Sequence, residues 1–131
     1  YICCMASLKQ ATYIRARYPE AKIYIFYIDL RTPGQRYEKF YKAIKADDKV
    51  FFIKGKVAEV SEDPATKKIT VTAENAVTGE KIRQTVDMVG PATGMQPTLG
   101  LQGAVAGLNL DASGFIISDY DKAMISAGCA K

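Results

Sequence analysis

The sequence predicts an α/β fold in which a helix–strand–helix–strand unit runs into an antiparallel β-meander. Three observations carry this: apolar residues at helical spacing before Pro19, a strongly β-prone run at Ile23 to Leu30, and strict alternation from Ile69 onward. The 131 residues are enough for one domain with a real hydrophobic core, and 48% hydrophobic with 24% charged residues is ordinary globular composition.

Cys4, Leu8, Ala11, Ile14 and Tyr18 recur at intervals of three and four, so the first element is a helix. It should stop before Pro19, because the residue preceding a proline is pushed out of helical conformation. Ile23 to Leu30 (IYIFYIDL) is rich in β-branched and aromatic residues and reads as a strand buried on both faces, as in a parallel sheet. Thr32-Pro33-Gly34 is a turn. Tyr37, Phe40, Tyr41 and Ile44 then mark an amphipathic helix, with Glu38 and Lys42 one turn apart as an ion pair.

Val50 to Val60 is the next strand region, with Gly55 placed as a bulge. Asp63-Pro64 turns the chain, Ile69, Val71 and Ala73 alternate with Thr70, Thr72 and Glu74, and after a turn at Thr78-Gly79 the chain returns from Lys81 to Val89. From Gly90 to Gly107 glycine and proline become frequent, and a short strand, Phe115 to Ile117, follows Asp111 and Gly114. This order matches the inside of a dinucleotide-binding domain without its first strand. No G-x-G-x-x-G occurs, so a phosphate-cradling turn would have to lie outside this sequence. The opening Tyr-Ile-Cys-Cys and the closing Ala-Gly-Cys-Ala-Lys read as the ends of a piece of a longer protein.

The net charge of +4 comes from lysines scattered among acids, which describes a solvated surface and gives no footprint for nucleic acid. There is no histidine, which removes imidazole-activated nucleophiles and the commonest zinc ligand from this segment. No apolar run approaches bilayer length and no secretory signal is visible. Three cysteines, two of them adjacent, do not make a secreted disulfide framework and point to a reducing compartment.

Four segments could carry chemistry. Cys3-Cys4-Met5 holds two thiols, half of what a four-thiolate metal site needs; by composition alone they are as readily two small apolar residues at a helix start. Asp29-Leu30-Arg31 sits at a strand's C-terminal end, where an acid can meet a ribose hydroxyl and an arginine a 2′-phosphate. With both side by side, neither cofactor is read cleanly, and Asp29 is better taken as a strand-end acid that helps cap the turn through Thr32 to Gln35. Ala92-Thr93-Gly94-Met95-Gln96-Pro97 follows an apolar strand and, alone, is a turn. Gly114-Phe115-Ile116-Ile117-Ser118-Asp119 leads on to Ala127-Gly128-Cys129.

Together these motifs resemble the A subunit of heterodisulfide reductase and, more closely, its homologue in the quinone-interacting membrane-bound oxidoreductase complex. The resemblance runs over the whole chain. C-C-M-x-x-L-K-Q followed by a strand ending Y-I-D-L-R is its most specific part. It implies that Cys3 and Cys4 join two upstream cysteines to hold a [4Fe–4S] cluster in the parent protein. A-T-G-x-x-P resembles the crossing from a pyridine-nucleotide domain back into an FAD domain, which implies that Thr93 and Gly94 lie at FAD. The final motif resembles the last FAD-contacting segment of such flavoproteins, with Gly128 and Cys129 at the cofactor. Cys129 replaces the usual ribityl-binding aspartate there, so a redox role and a small buried residue at a strand end remain open for it. A departure is Gly90-Pro91, where the family continues an apolar strand; proline lacks the ladder donor, so the strand should end early or bend.

The resemblance thus implies a partial three-layer (β-β-α) FAD/NAD(P)-binding, Rossmann-like architecture, with a nucleotide-domain-like unit over residues 1–92 and a strip of the FAD domain over 93–131. The parent is expected to be an oxidoreductase: an electron-transfer flavoprotein subunit with FAD and [4Fe–4S]. It would be cytoplasmic, at the inner face of a membrane through other subunits of a redox complex, without a span of its own. The isolated chain is expected to be inactive, to carry no cofactor and to self-associate. A pyridine nucleotide–disulfide oxidoreductase is the first alternative, but no C-x-x-C or C-x-x-x-x-C pair is present. A non-catalytic interaction domain is the second.

Overall fold

A computed structural model describes residues 1–97 and 107–126. The chain divides into two compact units, Tyr1–Thr93 and Gly94–Lys131. The first contains helix α1 (Ile2–Arg17), strand β1 (Ile23–Tyr27), helix α2 (Gln35–Lys45) and strands β2 (Val50–Glu62), β3 (Ile69–Asn75) and β4 (Lys81–Val86). The second contains a two-stranded ribbon, β5 (Asn109–Leu110) and β6 (Ile116–Ile117). The fold is α/β, as the periodicities require.

Helix α1 ends where Pro19 demands. Its last helical residue is Arg17, and Tyr18 has already left helical conformation with ψ at 84°. Arg15 fastens this end: its Nε donates to Asp47 Oδ2 at 2.7 Å and its Nη1 to the carbonyl oxygens of Pro19 and Ala21. Asp47 in turn accepts the backbone N–H of Lys49 at 2.9 Å, so one partly buried ion pair joins the ends of both helices to the start of β2. The Arg15 guanidinium holds the Asp47 carboxyl below the ordinary aspartate range, and the Lys49 amide adds to this.

The first unit's sheet has the order β1-β2-β3-β4, with β1 parallel to β2 and the remaining pairs antiparallel. A parallel pair needs a crossover, and α2 supplies it. Its apolar stripe puts Phe40, Tyr41 and Ile44 against the sheet, and its opposite face carries the expected Glu38–Lys42 pair at 2.7 Å. Register fixes which sheet face is covered. Ile23 lies beside Val50 and Ile25 beside Phe52, and these four pack with Leu8, Met5 and the α2 residues. Leu8, fully buried, is the centre of that cluster.

Two expectations are corrected. The strand stops at Tyr27 instead of Leu30, and all five of its residues are only partly buried; Ile28, beyond it, is 69% exposed. Among the described residues β1 has a neighbour on one side only, so an apolar strand that could have been central is an edge here. Gly55 is not the bulge. It pairs regularly with Asn75, and the register breaks between Val57 and Glu59. Glycine is required at 55 for close approach: a Cβ there would lie 2.1 Å from the carbonyl oxygen of Glu74.

The meander follows its alternation, with Val71 and Ala73 buried and Glu74 exposed. Asp63 accepts the Ala65 N–H at 2.9 Å and the Thr66 hydroxyl at 2.8 Å, which tightens the β2–β3 turn. Gly79, at φ +73°, closes the β3–β4 turn. Strand β4 ends at Val86, short of Val89, consistent with a proline ahead that cannot donate to a ladder. No described helix is long and apolar enough to cross a membrane.

Candidate functional site

The adjacent cysteines occupy the first turn of α1. Cys3 is exposed, and Cys4 is half-buried with its Sγ 3.9 Å from the main-chain carbonyl oxygen of Asp29. The connection has a simple cause. Met5 and Leu8 anchor α1 over β1, so the helix's first turn lies beside the segment that leaves the C-terminal end of that strand. Tyr1 and Tyr37, with ring centroids 6.0 Å apart, bring the start of α2 to the same end of the sheet. In open α/β sheets, the ends where parallel strands point are where ligands bind.

At this end Asp29 and Arg31 pair with each other. Arg31 Nε donates to Asp29 Oδ2 at 2.8 Å, with both side chains largely exposed. The Asp29 carboxyl is held below the ordinary range, first by this hydrogen bond. Arg31 is held above its ordinary range by the same bond and by Asp29's charge, with a smaller contribution from the Cys4 sulfur. The position of Asp29 at a strand end suggests a cap for the turn ahead. Instead its carboxylate engages Arg31, two residues on, and its carbonyl faces Cys4. Nothing in the spacing of Cys4 and Asp29, 25 residues apart, could have shown that contact.

As metal ligands, Cys3 and Cys4 fit in chemistry and fall short in number. Among the described residues, no three of His, Cys, Asp or Glu converge into a metal-holding group. Two soft sulfurs are half of a four-thiolate set, so any cluster held here takes its other ligands from elsewhere.

Thr93 and Gly94 are exposed and stand at the junction of the two units. Gly94 has φ +98°, and nothing lies within 4 Å of where a Cβ would sit, so the backbone there is bare and open to a close-lying ligand. Gly128 and Cys129 lie outside the described residues. The stretch leading to them is organised by carboxylates: Asp111 Oδ1 accepts the N–H groups of Ser113 and Phe115, and Asp119 accepts from Asn109 Nδ2 at 3.0 Å.

The chain is similar to a protein of Methanopyrus kandleri named as an iron–sulfur A subunit (the second of two) of CoB–CoM heterodisulfide reductase. The two are 40% identical over 96 residues, covering 73% of this chain and 15% of that protein. The A subunit of an H2/formate:CoB-CoM heterodisulfide, ferredoxin reductase from Methanococcus maripaludis is 38% identical over 95 residues, covering 72% and 14%. A protein of Archaeoglobus profundus, named as similar to the heterodisulfide reductase A subunit, is 33% identical over 123 residues, covering 92% and 17%. The chain belongs to the A-subunit family of heterodisulfide reductases. It spans less than a fifth of the length of these curated relatives. No family model matches it.

Proposed function

We propose that this segment of the heterodisulfide reductase A-subunit family belongs to an FAD- and iron–sulfur-bearing electron-transfer component of a multi-subunit oxidoreductase. The observation that carries the reading is the adjacent thiol pair on the first turn of α1, at the ligand-binding end of a parallel strand pair, in a family with a member named as an iron–sulfur subunit. Cys3 and Cys4 would supply two thiolates to a [4Fe–4S] cluster completed by cysteines elsewhere in the whole protein. The first turn of a helix has unpaired N–H groups and the positive end of the helix dipole, which favours an anionic cluster.

FAD is assigned to the same protein. Thr93 and Gly94 would approach it through open backbone, and Gly128 and Cys129 would approach it from the far end of the chain. When bound, such a flavin exchanges electrons with clusters that accept them singly, while the protein's part is to hold and orient both groups. The chain's own architecture is then a portion of a three-layer FAD/NAD(P)-binding fold, with residues 1–92 from the nucleotide-domain side and 93–131 from the FAD side. The whole protein works in the cytoplasm with other subunits of a redox complex, and any contact with a membrane is through them. The corresponding A subunit of the quinone-interacting membrane-bound oxidoreductase complex is the proposed nearest relative.

The test is a reductive titration of the full-length protein followed by absorbance. Bleaching of a flavin band together with a broad iron–sulfur band supports the reading. Flavin bleaching by NADH that regenerates two thiols, with no iron present, would support a pyridine nucleotide–disulfide oxidoreductase in its place.

A further inference from the structure

The end of α1 that carries the cysteines faces a charge pair that the proposed ligation does not use. Arg31 and Asp29 are bonded to each other at 2.8 Å, and Asp29 is the residue whose carbonyl oxygen lies 3.9 Å from Cys4 Sγ. Both side chains are more than three-fifths exposed, and among the described residues Arg31 makes no other hydrogen bond from its side chain. A surface pair of this kind contributes little to folding. Its position beside a candidate ligand gives it another use.

We propose that the Asp29–Arg31 pair sets the local charge felt by the group held at Cys4, with Arg31 as the positioning residue that neutralises Asp29. This rests on the reading of Cys4 as a cluster ligand. A cluster held by thiolates is anionic, and reduction adds one electron, supplied in a titration by the chemical reductant, without making or breaking a bond. A nearby fixed cation stabilises the more negative, reduced form, and a nearby carboxylate opposes it. In the intact pair the two effects largely cancel. Removing either partner leaves the other uncompensated, so the two removals act with opposite sign.

The experiment is an EPR-monitored redox titration of the full-length protein and its Arg31→Gln, Asp29→Asn and Arg31→Lys variants, with iron per chain measured for each. Arg31→Gln should make reduction harder by roughly two- to fivefold in the equilibrium constant, the scale of a screened surface charge. For one electron that is about 20–40 mV, at 59 mV per tenfold. Asp29→Asn should shift the potential the opposite way, Arg31→Lys should restore most of the original value, and all shifts should shrink at high salt. Iron content should stay the same throughout. Potentials that do not move at unchanged iron content, or that move in the same direction in Arg31→Gln and Asp29→Asn, overturn the proposal and indicate that the pair only braces the chain after β1. A Cys4→Ser variant that retains its full iron would instead remove the ligand assignment itself, and the proposal with it.

Discussion

Arg15 and Asp47 show how a few atoms can hold several elements together. Asp47 takes a guanidinium from α1 and an amide from the start of β2, and both act to keep it ionised. A carboxyl whose folded pKa is depressed stabilises the fold above its unfolded value, ordinarily 3.8, and loses that contribution as pH falls through the lower folded value. Asp47→Asn should therefore melt at a lower temperature than the native chain near neutral pH. The difference should narrow below about pH 4, which thermal melts followed by circular dichroism across pH 2–7 would check. An equal gap at all pH values would mean that the carboxylate's charge is not what matters. Gly55 offers a second test at this scale. With Glu74's carbonyl oxygen 2.1 Å from where a Cβ would sit, Gly55→Ala must push β2 and β3 apart. The expected cost is about 1–3 kcal/mol or more in chemical denaturation, as for other overpacked sites.

At the scale of elements, how much the sequence reveals depends on whether a pattern is local. Helix α2 is legible because Tyr37, Phe40, Tyr41 and Ile44 mark one face, and β3 because Val71 and Ala73 alternate with polar residues. The extent of β1 is not, because Ile28 and Leu30 continue the apolar run past the last residue that β2 pairs, Tyr27. The role of Gly55 is also hidden: a bulge and a close approach both call for glycine, and only the position of β3 tells them apart. Strand β5 is invisible because two residues, Asn109 and Leu110, leave no alternation to read. In the candidate site, the cysteine pair is visible as a motif, while its contact with Asp29 depends on how α1 lies across β1. That placement rests on Leu8, the one large side chain buried completely among those described. Leu8→Ala should cost about 2–5 kcal/mol of stability and loosen α1 first, seen as faster amide exchange across Ile2–Arg17 than in the sheet.

At the scale of the whole molecule, the buried hydrophobic set is small: Leu8, Ala11, Ile44, Val50, Val71 and Ala73 among the described residues. Meanwhile Tyr13, Tyr18 and Ile28 are each more than half exposed, and β1 keeps a free edge among the described residues. Apolar burial is worth roughly 25 cal/mol per Å², so a patch of a few hundred Å² begins to offset association costs of about 4–15 kcal/mol. The 131-residue chain on its own should therefore form dimers or larger species at high concentration, through α1 or β1. Light scattering should show a mass rising with concentration, and a constant monomer mass would refute this. The same isolated chain should carry little flavin, since it has no glycine-rich turn to supply backbone donors to a pyrophosphate; stoichiometric flavin absorbance would contradict that.

The central claim is that Cys3 and Cys4 serve an iron–sulfur cluster in the full-length protein, and the most direct measurement is iron and acid-labile sulfide per chain in Cys3→Ser and Cys4→Ser variants of that protein. Thiolates are needed in full number to close a cluster site, so each variant should lose close to one cluster's worth of iron and sulfide, together with the matching EPR signal, while its circular dichroism spectrum stays native. Iron and sulfide unchanged from the native protein in both variants would contradict the account.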